Sequence, residues 1–189
     1  MSQKIINHQM IIDGKSTNSI TEKTIEIECP SNKKIFASVP RGNEADVNIA
    51  VKSSLKAFRS WSKVMPRERG RILLKIADAI EIEKEGIAKI IATETGNAIK
   101  TQARPEINLV VDIFRYFGGL SSELKGETIP LGEHVLSYTR REPLGVVGAI
   151  IPWNAPVMLG ACKIAPALCA GNTIVMKAAE DAPLAILKV

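Results

Sequence analysis

The sequence predicts an α/β fold centred on a parallel strand–helix–strand unit, and three observations carry that expectation. The apolar run Val146-Val147-Gly148-Ala149-Ile150-Ile151 ends abruptly in Pro152-Trp153-Asn154-Ala155-Pro156. A helical pattern from Pro156 to Ala170 follows, closed by Gly171-Asn172. A second β-rich run, Thr173-Ile174-Val175-Met176-Lys177, comes next. Two strands joined by a helix pair in parallel, and in open α/β sheets ligands bind outside the carboxyl ends of the strands.

The elements before this unit follow in order. Gln9 to Ile12 reads as a strand running into an Asp13-Gly14 turn. Thr24 to Glu28 alternates apolar and polar, Cys29 to Asn32 is a turn, and Lys34 to Val39 is the returning strand. Asn43 is a candidate N-cap, with Val47, Ala50, Val51, Leu55 and Phe58 behind it at helical spacing. Pro66 opens another helix, whose apolar face is Ile72, Leu73, Ile76, Ala79 and Ile80. A shorter pattern runs from Ile87 to Ala92, with Gly96 as its C-cap. A third helix spans about 102 to 116, closed by Gly118-Gly119. Residues 126 to 143 are turn-rich, with a strand-like stretch at 135–139, and predict a hairpin that leaves the body of the domain. Pro183 opens a last helix. Two parallel strands are too few for a stable open sheet. Either the amino-terminal strands complete it, or the 189 residues are part of a longer chain.

Composition narrows the function classes. The chain is 46% hydrophobic and 24% charged, with 4% aromatics and a net charge of +5. Its basic residues are scattered among acids, which argues against a nucleic-acid partner. No run is apolar enough for a membrane span and the first residues lack a signal-peptide pattern, so the expected location is the cytoplasm. Cys29, Cys162 and Cys169 form no disulfide framework. Cys162 and Cys169, seven apart on one helix face, read as small buried hydrophobes. His8 and His134 have no metal-ligand spacing, and no metal site is expected.

Two constellations carry chemistry. Asn154 brings a side-chain NH2 to a strand end, where it can stabilise a developing oxyanion. From chemistry alone the stronger reading is an N-cap for the helix at Pro156. Lys177-Ala178-Ala179-Glu180 ends the second strand. An acid there can accept from a ribose hydroxyl, and the lysine can donate to the same sugar. Taken alone, the pair reads better as a solvated surface ion pair. The glycine fingerprint of dinucleotide sites is missing after Ile150.

Together these stretches resemble the aldehyde dehydrogenase superfamily. The family blocks E-P-x-G-V and I-x-P-W-N-x-P appear as Glu142-Pro143-Leu144-Gly145-Val146 and Ile150 to Pro156. The blocks K-x-A-P-A-L, G-N-T and K-x-x-E appear as Lys163 to Leu168, Gly171 to Thr173 and Lys177 to Glu180. Trp61, Pro66 to Arg69, Ala77 to Glu81 and Glu94-Thr95-Gly96 match upstream, so the likeness runs collinearly from about Met10. It implies a Rossmann-like cofactor-binding part of the family fold, incomplete, occupying residues 1–189, with a bridging hairpin at about 126–143 used in homo-oligomer assembly.

The resemblance also implies roles. Asn154 matches the side-chain donor of the oxyanion hole. Ile150, Ile151, Pro152, Trp153 and Asn154 match the turn that contacts NAD, and Lys177, Ala179 and Glu180 match the segment that holds the adenosine ribose. Glu180 disfavours NADP, whose 2′-phosphate it would repel. In the complete enzyme an aldehyde is attacked by a cysteine thiolate, and a glutamate assists hydrolysis of the thioester. Neither Cys162 nor Cys169 matches that nucleophile, and Glu180 does not match that base. The expectation is therefore a chain without turnover of its own; the alternative is a non-catalytic nucleotide-binding or oligomerisation module. Ala178 stands where proline is common and Ala155 where phenylalanine is common, which leaves the aldehyde open.

Overall fold

The computed structural model describes residues 5–189. Strand β1 (Ile6–Asn7) pairs in parallel with β5 (Lys34–Pro40), which pairs antiparallel with β4 (Thr24–Cys29). Strands β2 (Met10–Ile12) and β3 (Lys15–Thr17) form a separate hairpin. Its turn is made by Asp13 and Gly14, both at positive φ (55° and 68°), the combination that matches strand twist in two-residue hairpins. None of these strands joins the parallel unit, so the amino-terminal segments do not complete that sheet.

Helix α1 (Glu44–Trp61) begins with a full capping box. The Asn43 side chain accepts from the amides of Ala45 and Asp46, and the Asp46 carboxylate accepts from the Asn43 amide. Asp46 also accepts from the Ser19 hydroxyl at 2.7 Å and the Ile20 amide, which holds its carboxyl below the usual range. The apolar positions expected to be its core face are only partly so: Val47 and Leu55 are about half exposed, at 52% and 50%. The single buried residue of α1 is Asp46.

Helix α2 (Pro66–Thr95) is one continuous helix of 30 residues, not two shorter ones. Its buried stripe is Leu73, Ala77, Ile80, Ile87, Ala88, Ile91 and Glu94, while Ile72 and Ala79 of the expected face point outward. Gly96 ends the helix in the left-handed conformation, φ 76°, as its position after Thr95 predicts. A π-turn (Ile99–Ala103) leads into α3 (Arg104–Leu120). Gly118 and Gly119 lie inside this helix and do not stop it. The reason is a close approach of helices: a Cβ on Gly70 of α2 would run into the Gly118 carbonyl, and one on Gly118 would meet Leu74 at 3.0 Å.

Strands β6 (Thr128–Pro130) and β7 (Leu136–Tyr138) form the expected hairpin, with Leu131, Leu136 and Tyr138 exposed. The parallel unit follows: β8 (Val146–Ile150), α4 (Pro156–Cys169) and β9 (Thr173–Lys177). In place of the helix expected from Pro183, the chain ends in a 3-10 turn at Ile186–Lys188. The main core lies between α2, α3 and α4, around Leu73, Ile91, Ile107, Val110, Phe114 and Val157. Cys169 is buried there, but Cys162 is exposed. Arg69 donates to the Cys169 carbonyl and Ser121 lies 3.5 Å from its sulfur. The shared face is thus covered at the carboxyl end of α4, around Cys169, and open at Cys162.

Candidate functional site

The two sequence constellations meet because of strand register. Val146 pairs with Thr173 and Ile150 with Lys177, so β8 and β9 end level with each other. The Ile151 amide donates to the Lys177 carbonyl at 3.2 Å, one step past the last pair. At the start of the pair, the Gly145 amide donates to the buried Asn172 side chain at 2.9 Å. That bond, with Gly171 at φ 89°, fixes how the chain leaves α4 and enters β9. The Pro-Trp-Asn turn and the Lys-Ala-Ala-Glu turn therefore leave the same sheet edge side by side.

Ile150, Pro152, Trp153 and Asn154 are exposed at this edge, Ile150 at 76% and Trp153 at 58%. Ile151 and Ala179 are buried, at 2% and 6%. With their side chains covered, these two offer a ligand at the edge little but their backbone. Lys177 and Glu180 form an ion pair, Nζ to Oε1 2.6 Å, with both side chains more than half exposed. The lysine's hydrogen bond is the chief cause holding the Glu180 carboxyl below the usual range, with Arg41 adding to it. A donor and an ionised acceptor so close together can share the two hydroxyls of a ribose.

Asn154 does not cap α4. The N-cap position belongs to Ala155, which has no side chain for the purpose. The amides of Val157 and Met158 instead donate to Oε1 of Glu106, at 3.0 and 3.1 Å, across from α3. At its other end α4 meets Arg69, whose Nε donates to the Cys169 carbonyl at 3.0 Å. A carboxylate at the amino end and a guanidinium at the carboxyl end both suit the helix dipole. Asn154 itself is held through its backbone: its carbonyl accepts from the Asn97 side chain at 3.1 Å. Its own amide group is left free of any capping duty. Beside it lies a groove of about 290 Å³, lined by residues that include Asn97, Pro105, Leu109, Ala155 and Met158.

A second buried acid stands behind the other turn. Glu94 is 2% exposed, and its two oxygens accept from the amides of Leu184 at 2.6 Å and Ala185 at 3.0 Å. Burial pushes its carboxyl up to about 7, against the two amides that pull it down. Burial raises Glu106 as well. Read from sequence, neither acid has a role, although Glu94 stands in the Glu94-Thr95-Gly96 match. The signal is nonetheless there: Glu94 stands three residues after Ile91 and Glu106 three after Ala103, in register with buried stripes where an acid needs a partner.

This arrangement defines a class: an α/β unit with an open edge at the carboxyl ends of parallel strands, carrying an exposed side-chain amide and an acid–lysine pair. The model of the aldehyde dehydrogenase family matches residues 17–189. An aldehyde dehydrogenase of Aspergillus niger is 43% identical over 176 residues, covering 93% of this chain and 35% of that protein. The crystal structure of a putative aldehyde dehydrogenase from Burkholderia cenocepacia superposes with a TM-score of 0.93 at 38% identity, over 97% of this chain and 37% of that one. An NAD+ complex of the aldehyde dehydrogenase from Bacillus cereus superposes with a TM-score of 0.93 at 37% identity, over 96% of this chain and 37% of that one. The chain belongs to the aldehyde dehydrogenase family. It spans about a third of the length of these relatives, 35% of the Aspergillus niger protein.

Proposed function

We propose that this chain supplies the adenosine-ribose side of an NAD site and one oxyanion donor to an enzyme that oxidises aldehydes to carboxylic acids. The observation that carries the reading is the register of β8 and β9, which sets Asn154 and the Lys177–Glu180 pair on one sheet edge. In this reading Lys177 donates to, and Glu180 accepts from, the ribose hydroxyls. The backbone from Ile150 to Trp153 lies along the cofactor. The Asn154 amide donates to the oxygen that gains charge when the aldehyde carbon becomes tetrahedral. NAD, when bound, supplies the hydride acceptor. The nucleophilic thiolate and the base come from outside these residues, and the groove beside Asn154 takes the aldehyde. The β6–β7 hairpin, with Leu136 81% exposed, serves subunit assembly in a homo-oligomer. Cytoplasmic placement fits three free cysteines.

The ionised state of Glu180 favours NAD over NADP, because a 2′-phosphate would face a carboxylate. The test joins this chain in frame to the carboxyl-terminal part of the Aspergillus niger relative. The joined enzyme is expected to form NADH from NAD and an aldehyde, and to bind NADP at least about tenfold more weakly than NAD. Glu180→Gln should narrow that gap. The 189-residue chain alone should form no NADH. A folded joined enzyme without turnover, or turnover by the isolated chain, would sink the reading.

A further inference from the structure

The two turns at the sheet edge have no caps of their own. Ala155 at the start of α4 has no capping side chain, and neither Asn154 nor Asp181 accepts from the amides that follow it. Both sets are satisfied from one place. Glu94 is in the last turn of α2, and Glu106 is in the first turn of α3. Asn97, between them, donates to the Asn154 carbonyl. Glu106 reaches the amides three and four residues after Asn154. Glu94 reaches those four and five residues after Glu180. The two carboxyls lie close enough to repel each other, since Glu106 contributes to raising Glu94.

The two helices that carry this corner are braced against each other. Helices α2 and α3 meet at the Gly70–Gly118 contact, too tight for a Cβ on Gly70. At the other end of the pair, Arg104 binds Glu85 through its Nε at 2.9 Å and its Nη2 at 3.0 Å. Gly96 and the π-turn fix the path between them. One element thus holds both turns from behind, and its Asn97 and Glu106 also line the groove beside Asn154.

We infer that the α2–α3 corner, residues 94–106, is the positioning element of the site: Glu106 and Asn97 set the Asn154 turn, and Glu94 sets the segment after Glu180. The inference rests on the functional reading above and adds three positioning residues to it. The caps differ in a way that gives each its own signature. Glu106 uses a single oxygen for both amides, so glutamine, which keeps one carbonyl oxygen, can replace it. Glu94 uses both oxygens, one per amide, so glutamine would turn an NH2 against one of the donors.

The test is made in the joined enzyme. Glu106→Ala is expected to lower kcat by about 10- to 100-fold with the Kd for NAD changed less than about twofold. Glu106→Gln should restore most of that kcat. Glu94→Ala should raise the Kd for NAD by about tenfold with a smaller fall in kcat, and Glu94→Gln should recover little. A wild-type joined enzyme that forms no NADH counts against the functional reading. Active wild type with equal losses of kcat and NAD affinity in both alanine variants overturns the positioning role alone. A readout independent of turnover is the Asn154 side-chain NH2 resonance. It should move in Glu106→Ala and Asn97→Ala and stay in place in Glu94→Ala; the same shift in all three would also overturn the inference.

Discussion

The helical core and the parallel strand pair obey opposite rules within one chain. Around α2, α3 and α4, side chains such as Phe114, Leu73 and Val157 are fully buried, and even the acids of that core have partners. At the carboxyl end of β8, Ile150 and Trp153 are exposed at 76% and 58%. Apolar surface in the core is closed by the chain itself. Apolar surface at the strand edge is left for something else to cover, and it surrounds the residues suited to a nucleotide and an oxyanion. Stability and function are therefore separable, and substitutions in the two regions should show it.

The largest effect on stability belongs to the core. Phe114→Ala should cost about 3–5 kcal/mol, read as a drop in the denaturation midpoint. Ile150→Ala, at the exposed edge, should stay within about 0.5 kcal/mol. If the two cost the same, the division fails.

The acid behind the second turn comes next. Glu94 is pushed up to about 7, so the folded state holds its proton more tightly than the unfolded chain does. Its contribution to stability is present at low pH and is lost as pH rises from the ordinary carboxylate range through about 7. Over that window the loss is a few kcal/mol, because each tenfold gain in proton affinity on folding is worth about 1.4 kcal/mol. Glu94→Gln cannot titrate, so its stability should be flatter than wild type across the window, as thermal melts at a series of pH values would show. Among the described residues, Glu106 is the charged group that acts on the Glu94 carboxyl, and it pushes in the same direction as burial.

The ion pair, like Ile150, should matter little to stability. Lys177→Ala should leave the melting temperature almost unchanged, since an exposed pair contributes about 0–1 kcal/mol. It should still weaken NAD binding in the joined enzyme, and a stable variant with normal NAD affinity would remove Lys177 from the site.

Much of this molecule is legible in its residues. The strand–helix–strand unit, the Asn43 cap, the Asp13-Gly14 turn, the Gly96 stop and the hairpin all follow from local chemistry, and the structure has them. Three departures share one cause. Local chemistry gives Asn154 a capping role that Glu106, 51 residues from Val157, performs instead. Gly118 reads as a helix stop, but it is small because Gly70 packs against it. Cys162 and Cys169 share a helix face, yet only Cys169 is covered. Each depends on a partner distant in sequence, which neither periodicity nor spacing can reveal. Gly86 lies inside α2 without breaking it, because packing outweighs a glycine's cost of about 1 kcal/mol in a helix.

The most direct test of the account is Asn154→Ala in the joined enzyme, with NADH formation and NAD affinity measured on the same protein. Asn154 caps nothing with its side chain and is exposed at the strand edge, so the variant should fold as wild type. The expected result is a fall in kcat of about 100- to 1,000-fold with the NAD Kd unchanged. A variant that keeps wild-type kcat would contradict it, because the sheet edge would then carry no oxyanion donor at Asn154.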